Sequence, residues 1–138
     1  MTTRVGLTLG IGVDIVRTSR FSDILQRDHR LVNRFIARIL NEKHEIPRFR
    51  ELTNIEQRIP FVAGSWAAKE AVFKTLDPED QKKFQFKNWY RSHDSLGKPY
   101  IRSDDYTTED EEFLLSISHD EDVLVANVMR QRLIDLKI

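Results

Sequence analysis

From Ile55 to Leu76 the chain carries the pattern that most limits its choice of fold. Phe61-Val62-Ala63-Gly64-Ser65-Trp66-Ala67-Ala68 is apolar or small almost without interruption, so a helix here is expected to be mostly buried. Pro60 falls near its first turn, where a missing N–H is tolerated, and Asp77-Pro78 ends it. A buried helix needs a partner layer. Leu7 to Val16 reads as a strand with Asp14 near its C-terminal end, and Gln85 to Arg91 alternates like a strand. Tyr100-Ile101 opens another after the turn Gly97-Lys98-Pro99. Phe113 to His119 and Val123 to Arg132 are the last two, joined by the acidic turn Asp120-Glu121-Asp122. Before the long helix, Ser19 or Ser22 is expected to cap a helix through Ile24 and Leu25. His29 to Leu40 is expected to be helical, with Leu31, Phe35, Ile36, Ile39 and Leu40 on one stripe. Asn41 is placed to cap a short helix that Pro47 interrupts. This order predicts an α+β domain with a largely antiparallel sheet packed with helices, one domain over residues 1–138.

Composition narrows the function classes. The chain is 40% hydrophobic and 32% charged, as a globular protein is. Lys plus Arg and Asp plus Glu each number 22, so there is no global field for nucleic acid or membrane. The charge is nevertheless uneven: Arg17 to Arg50 is rich in Arg and Lys, which fits either a solvated face or a patch for an acidic partner. With no cysteine, disulfides, thiolate zinc sites and a cysteine nucleophile are excluded. No apolar stretch reaches the ~20 residues of a membrane span. No secretory signal is visible, and a fold-like pattern beginning near Leu7 leaves no room for a long targeting segment.

Three features carry chemistry. Glu70 and Lys74 lie four apart on the long helix and project from one face. Spacing alone also fits an exposed stabilising ion pair, but charge inside so apolar a helix is costly unless it has a task. Asp14 interrupts an apolar strand, either as a strand-end turn residue or, brought beside Glu70, as half of a two-carboxylate site. Magnesium is commonly held by one or two carboxylates with waters and substrate phosphates. Gly97-Lys98-Pro99 and Ser116-Ile117-Ser118-His119 supply a close-approaching backbone, a cation and further donors for phosphate, though each piece alone is commonplace.

In order along the chain these pieces resemble one family, the holo-acyl-carrier-protein-synthase group of 4′-phosphopantetheinyl transferases. Gly10-Ile11-Gly12-Val13-Asp14-Ile15-Val16 is similar to its opening strand, and Arg34-Phe35-Ile36-Ala37-Arg38-Ile39-Leu40-Asn41 to its next helix and turn. Trp66-Ala67-Ala68-Lys69-Glu70-Ala71-Val72-Phe73-Lys74 resembles its Trp/Phe-x-x-Lys-Glu-Ala-x-x-Lys signature. Gly97-Lys98-Pro99-Tyr100 and Ser116-Ile117-Ser118-His119 resemble its last two motifs. The resemblance runs from about Leu9 to Val128. It implies transfer of 4′-phosphopantetheine from coenzyme A to a serine of an apo acyl carrier protein, with release of 3′,5′-ADP. Asp14 and Glu70 would hold magnesium, Glu70 would help deprotonate the serine, and Lys74 would contact the α-phosphate and could protonate the leaving group. Lys69, Gly97, Lys98, Pro99, Ser116, Ser118 and His119 would line the coenzyme A site, with Lys98, Ser118 and His119 near its 3′-phosphate and ribose. Arg20, Arg34 and Arg38 would face the carrier's acidic helix. A homotrimer is expected, Asp14, Glu70 and Lys74 of one subunit facing Lys98 and His119 of a neighbour.

The sequence departs from the family where Ser65 replaces the usual Arg, and where Leu76-Asp77-Pro78-Glu79 replaces a Gly-Thr-Gly-like loop. Both are read as marks of a divergent fungal mitochondrial branch, which places the protein in the mitochondrial matrix, with the cytoplasm as the alternative. Val16 stands where two-lobed relatives carry an acidic residue, so a water would complete the metal shell. Two rival readings remain. Another magnesium phosphotransferase would be insensitive to loss of the coenzyme A 3′-phosphate. A silent carrier-binding module would have no reason to keep Asp14, Glu70 and Lys74 together.

Overall fold

The computed structural model describes residues 1–106 and 108–138. Ten elements follow one another: β1 (Thr2–Arg17), α1 (Thr18–Leu25), α2 (His29–Ile39), α3 (Ile46–Glu51), α4 (Ile55–Thr75), α5 (Pro78–Lys83), β2 (Trp89–His93), β3 (Pro99–Ser103), β4 (Glu111–Asp120) and β5 (Val123–Lys137). The strands form one antiparallel sheet in the order β1-β5-β4-β3-β2. The α+β arrangement expected from the sequence is the one observed.

α4 lies across one face of this sheet, and small residues set how closely. A Cβ added to Gly12 would stand 1.9 Å from the carbonyl oxygen of Ala71. The strand therefore admits the helix backbone itself, and Ala63, Ala67, Ala68 and Ala71 are fully buried on the way. That close packing fixes Asp14, two residues on from Gly12 and on the same face, against the C-terminal half of α4. Phe21 of α1, Ile36, Ile39 and Leu40 close the core from the other side of the helix layer.

Several boundaries differ from expectation for identifiable reasons. β1 begins at Thr2, not Leu7, because residues 2–8 pair with residues 131–137 of β5 through a bulge at Leu9. Thr18 and Arg17 start α1 without a side-chain cap, so neither Ser19 nor Ser22 plays that part, whereas Asp28 caps α2 through the amide of Arg30. Leu31 is left exposed on α2. Pro47 sits in the first turn of α3 and initiates it rather than interrupting it. Pro60 lies inside α4, on its exposed side. Phe86–Asn88 is a 3₁₀ turn, so β2 starts only at Trp89. In this turn Phe86 stacks on Trp66 at 4.7 Å and meets Phe84 edge-on at 5.4 Å.

Candidate active site

Asp14 on β1 and Glu70 and Lys74 on α4 meet at the seam that Gly12 makes possible. The Lys74 ammonium donates to the carbonyl of Val13 at 2.6 Å and lies 3.6 Å from Asp14 Oδ1. Burial pushes the Asp14 carboxyl above its usual range, against the pull of Lys74. Burial also raises Glu70, and the neighbouring charge of Asp14 raises it further. The pair thus holds two carboxylates in partial competition, with one lysine beside them. Arg20 of α1 adds a second cation near both, resting on the Trp66 ring at 4.9 Å.

Asp14 Oδ2 is buried and has no hydrogen-bond partner among the described residues. A buried carboxylate oxygen without a donor calls for a cation or an ordered water. Together with Glu70 it offers the sparse oxygen set that magnesium takes, with waters and substrate phosphates filling the rest. Among the described residues there is no group of three or more His, Cys, Asp or Glu that would make a fully protein-built metal cage.

Lys69, expected on coenzyme A, lies elsewhere. Its ammonium is fully buried, 2.5 Å from Glu45 Oε1 and 2.5 Å from the carbonyl of Ile39. Burial lowers it to about 8, against the opposing pull of Glu45. Such a lysine ties α4 to the segment between α2 and α3 and reaches no surface ligand. Ser65 belongs to the same cluster: its hydroxyl donates to Glu45 Oε2 and accepts from Arg91 of β2. Arg91 thus brings a guanidinium to the position where the sequence lacks one.

The phosphate-directed residues are spread over the sheet. Gly97 takes φ +82° in the β2–β3 turn, where Asp94 accepts the amides of Leu96 and Lys98. This leaves Lys98 exposed and Pro99 at the start of β3. On β4, Ile117 lies opposite Ala126, which lies opposite Asp14, so these three share the helix-facing side. Alternation then turns Ser116 and Ser118 to the opposite, exposed face. His119 returns to the helix side in the row Val16–Leu124–His119 at the sheet's end. Ser118 and His119, adjacent on β4, thus face opposite sides of the sheet.

Sequence reasoning missed two basic residues. Arg27 joins Arg34 and Arg38 around a groove of about 320 Å³ floored by Ile24, Leu31 and Phe35. Arg130, almost wholly buried, reaches under the end of α4 to the carbonyl of Thr75 and pairs with Glu111 at 2.6 Å. Its other neighbour is Asp77, 3.4 Å away, so the unusual Asp77-Pro78 exit is anchored to the sheet. Only the period-2 alternation of β5 hinted that Arg130 would point inward.

A family model of the 4′-phosphopantetheinyl transferase superfamily matches residues 10–128, which span every element from β1 to β5. The chain belongs to this superfamily. The holo-[acyl-carrier-protein] synthase of Anoxybacillus flavithermus is 39% identical over 127 residues, covering 92% of this chain and 98% of that protein. A putative holo-[acyl-carrier-protein] synthase of Schizosaccharomyces pombe is 29% identical, covering 88% and 94%. Among solved structures, a holo-(acyl-carrier-protein) synthase of Bacillus anthracis in complex with coenzyme A (3′,5′-ADP) superposes with a TM-score of 0.70 at 29% identity, covering 91% of this chain and 97% of that one. The holo-ACP-synthase of Plasmodium yoelii, at 22% identity and a TM-score of 0.74, shares the superfamily fold.

Proposed function

We propose that this protein is a holo-[acyl-carrier-protein] synthase, transferring 4′-phosphopantetheine from coenzyme A to a serine of an apo acyl carrier protein. The observation that carries the reading is the Asp14–Glu70–Lys74 cluster with its unpartnered Asp14 oxygen, in a chain that matches synthases over nearly its whole length. In the reaction the serine oxygen attacks the pantetheine-bearing phosphorus of the pyrophosphate, the bond to the second phosphate breaks, and 3′,5′-ADP leaves. Glu70, held above the ordinary carboxylate range by burial and by Asp14, is suited to accept the serine proton. Lys74 stands where an ammonium can meet negative charge growing on the leaving phosphate. Asp14 and Glu70 would hold magnesium, which supplies neutralisation of the diphosphate. The test is direct: apo carrier protein, coenzyme A and magnesium are mixed with the enzyme and analysed by mass spectrometry. A carrier heavier by one phosphopantetheine, absent after EDTA, is expected; an unmodified carrier would overturn the reading.

Docking of the carrier is assigned to α1 and α2. Arg20 beside the carboxylates and the Arg27, Arg34 and Arg38 groove suit an acidic amphipathic helix. Charge reversal at Arg34 is expected to raise the carrier KM and leave that for coenzyme A unchanged.

Assembly as a homotrimer belongs to the same proposal. It is supported by the separation of Lys98 and Ser118 from Asp14 within one chain, and by the bare outer face of the sheet, where Ile11 and Ile15 are 65% and 66% exposed. A cyclic interface on that face would bring one subunit's Ser116 and Ser118 toward a neighbour. Co-refolded Glu70→Gln and Lys98→Ala chains should then recover activity that neither has alone. A monomer in sedimentation would refute the trimer. The location is proposed as the mitochondrial matrix, with the cytoplasm as alternative, on the departures at Ser65 and Asp77-Pro78 alone; fractionation against matrix markers tests it.

A further inference from the structure

Just beyond Lys74, α4 ends without the left-handed residue that commonly closes a helix. Leu76 follows in an extended conformation, and among the described residues only Gly97, Asp110 and Glu121 take a positive φ. Leu76-Asp77-Pro78-Glu79 thus offers no left-handed cap, and the last carbonyls of α4 need donors from elsewhere. Side chains supply them. Thr75 Oγ1 donates to the carbonyl of Val72 at 2.7 Å, Gln81 Nε2 to that of Phe73 at 2.9 Å, and Arg130 Nη1 to that of Thr75 at 3.2 Å. Of these donors Arg130 belongs to the sheet, so its bond ties the end of the helix to β5.

Arg130 lies opposite Gly10 in the β1–β5 pairing. A Cβ added to Gly10 would stand 2.7 Å from the same Thr75 carbonyl, and one added to Gly12 would stand 3.2 Å from Lys74 Cβ. The final turn of α4 therefore rests on glycine gaps in β1, and Arg130 holds its far end with a cation at the negative pole of the helix. The arginine is itself fixed. Nε meets Glu111 Oε1 at 2.6 Å, and Nη1 lies 3.4 Å from Asp77 Oδ1. Lys74 sits inside this turn. Its side chain is half-exposed, and its ammonium is held by the Val13 carbonyl at 2.6 Å and by Asp14 at 3.6 Å. A flexible stem takes its aim from the backbone that bears it, and an error of about 1 Å in such an aim can cost on the order of 10²-fold in rate. We propose that Arg130 is a positioning residue for Lys74, seating the last turn of α4 so that the ammonium stays at Asp14 and meets the substrate phosphate. The phosphate in this role rests on the synthase reading; the seating of Lys74 does not. Arg130 lies beyond residues 10–128, so the superfamily pattern does not include it.

Arg130→Met in the full chain tests this, because it keeps the apolar stem, donates nothing, and leaves Glu111 its bonds to Tyr106 and Arg132. The carbonyl carbon NMR resonance of Val13 reports the Lys74 hydrogen bond without any transfer assay. It should move in Arg130→Met toward its position in Lys74→Met. With apo carrier protein and coenzyme A, well below the Tm of every variant, Arg130→Met should lower kcat about tenfold or more while both KM values stay within about twofold. It should add nothing in a Lys74→Met background, since both changes act through one group. If Arg130→Met alone does not fold, the same change combined with Glu111→Gln, which leaves no buried charge behind, carries the same test. Arg130→Lys, keeping the charge and a donor, should restore most of the Val13 shift and of kcat. A Val13 resonance unmoved in the folded Arg130→Met chain, or a kcat loss that adds in full to that of Lys74→Met, would overturn the proposal. A wild-type chain that transfers nothing would instead refute the synthase reading and leave the Val13 test standing.

Discussion

Lys69 and Lys74 stand one and a half turns apart on the same helix, each beside a carboxylate, and they could hardly differ more. Lys69 and Glu45 are 0% and 1% exposed and 2.5 Å apart, with every acceptor site of the carboxylate used. Lys74 and Asp14 are 49% and 18% exposed and 3.6 Å apart, and one Asp14 oxygen has no donor among the described residues. In the first pair, desolvation is offset by a complete set of hydrogen bonds, so the charge holds elements together. In the second, desolvation and a second carboxylate are left standing, so the charge is available to a ligand. A signature that places two lysines around one glutamate thus combines a closed pair and an open one, distinguished by which groups reach them from elsewhere in the chain.

The largest effect should come from breaking the closed pair. Glu45→Ala strands the Lys69 ammonium in the core and should cost about 3–5 kcal/mol, read as a fall in urea midpoint with the m-value unchanged. A loss below ~1 kcal/mol would mean that Lys69 finds water and that the pair is not closed. Next come Asp14→Ala and Glu70→Gln, each expected to lower turnover by ~10²–10³ with no loss of Tm. Destabilisation by either would place it with Glu45 instead. Gly12→Ala should sharpen the contrast, because its Cβ meets the Ala71 carbonyl and pushes the strand from the helix. Overpacking of this kind costs about 1–3 kcal/mol, and turnover should fall while the distant Glu45 cluster, followed by protection of the Ser65 and Lys69 amides from exchange, stays closed.

The smallest effect is a pH slope. Asp14 and Glu70 both titrate above their ordinary values in the folded chain. The unfolded chain therefore releases these protons first, and folding stability falls as pH rises from about 4 through the folded-state values. Glu70→Gln should flatten this part of the slope in the absence of divalent ions. A variant with the wild-type slope would mean that the two carboxyls are not in competition.

Asp14, Glu70 and Lys74 were legible because residue type and period agree: an acid in an apolar strand, and an i, i+4 pair in an apolar helix. The antiparallel sheet was legible for the same reason. Lys69 was misread because its fate depends on Glu45, whose approach is set by the turn after α2, where Asn41 accepts the amides of Lys43 and His44. Gln85–Arg91 alternates correctly for a strand, yet Phe86–Asn88 is a 3₁₀ turn whose Phe86 stacks on Trp66, a long-range contact that the alternation does not encode. Whether Ser116 and Ser118 share a face with Asp14 required the register of three strands, which no local pattern encodes.

The bulge at Leu9 has a consequence for how this protein tolerates change. Before it, Val5 and Leu7 sit on the helix side of the sheet; after it, Ile11, Val13 and Ile15 sit on the other, so the strand reverses its apolar side midway. A one-residue slip in a plain strand would invert every later position. Here an unpaired residue already stands between the first third of β1 and the stretch that carries Gly12 and Asp14. A single insertion or deletion among residues 2–8 can be absorbed at that joint, leaving the downstream partners in place. The outer ribbon is thus free to drift in length and composition, or to be re-engineered, while the half of the strand that carries Gly12 and Asp14 keeps its alignment.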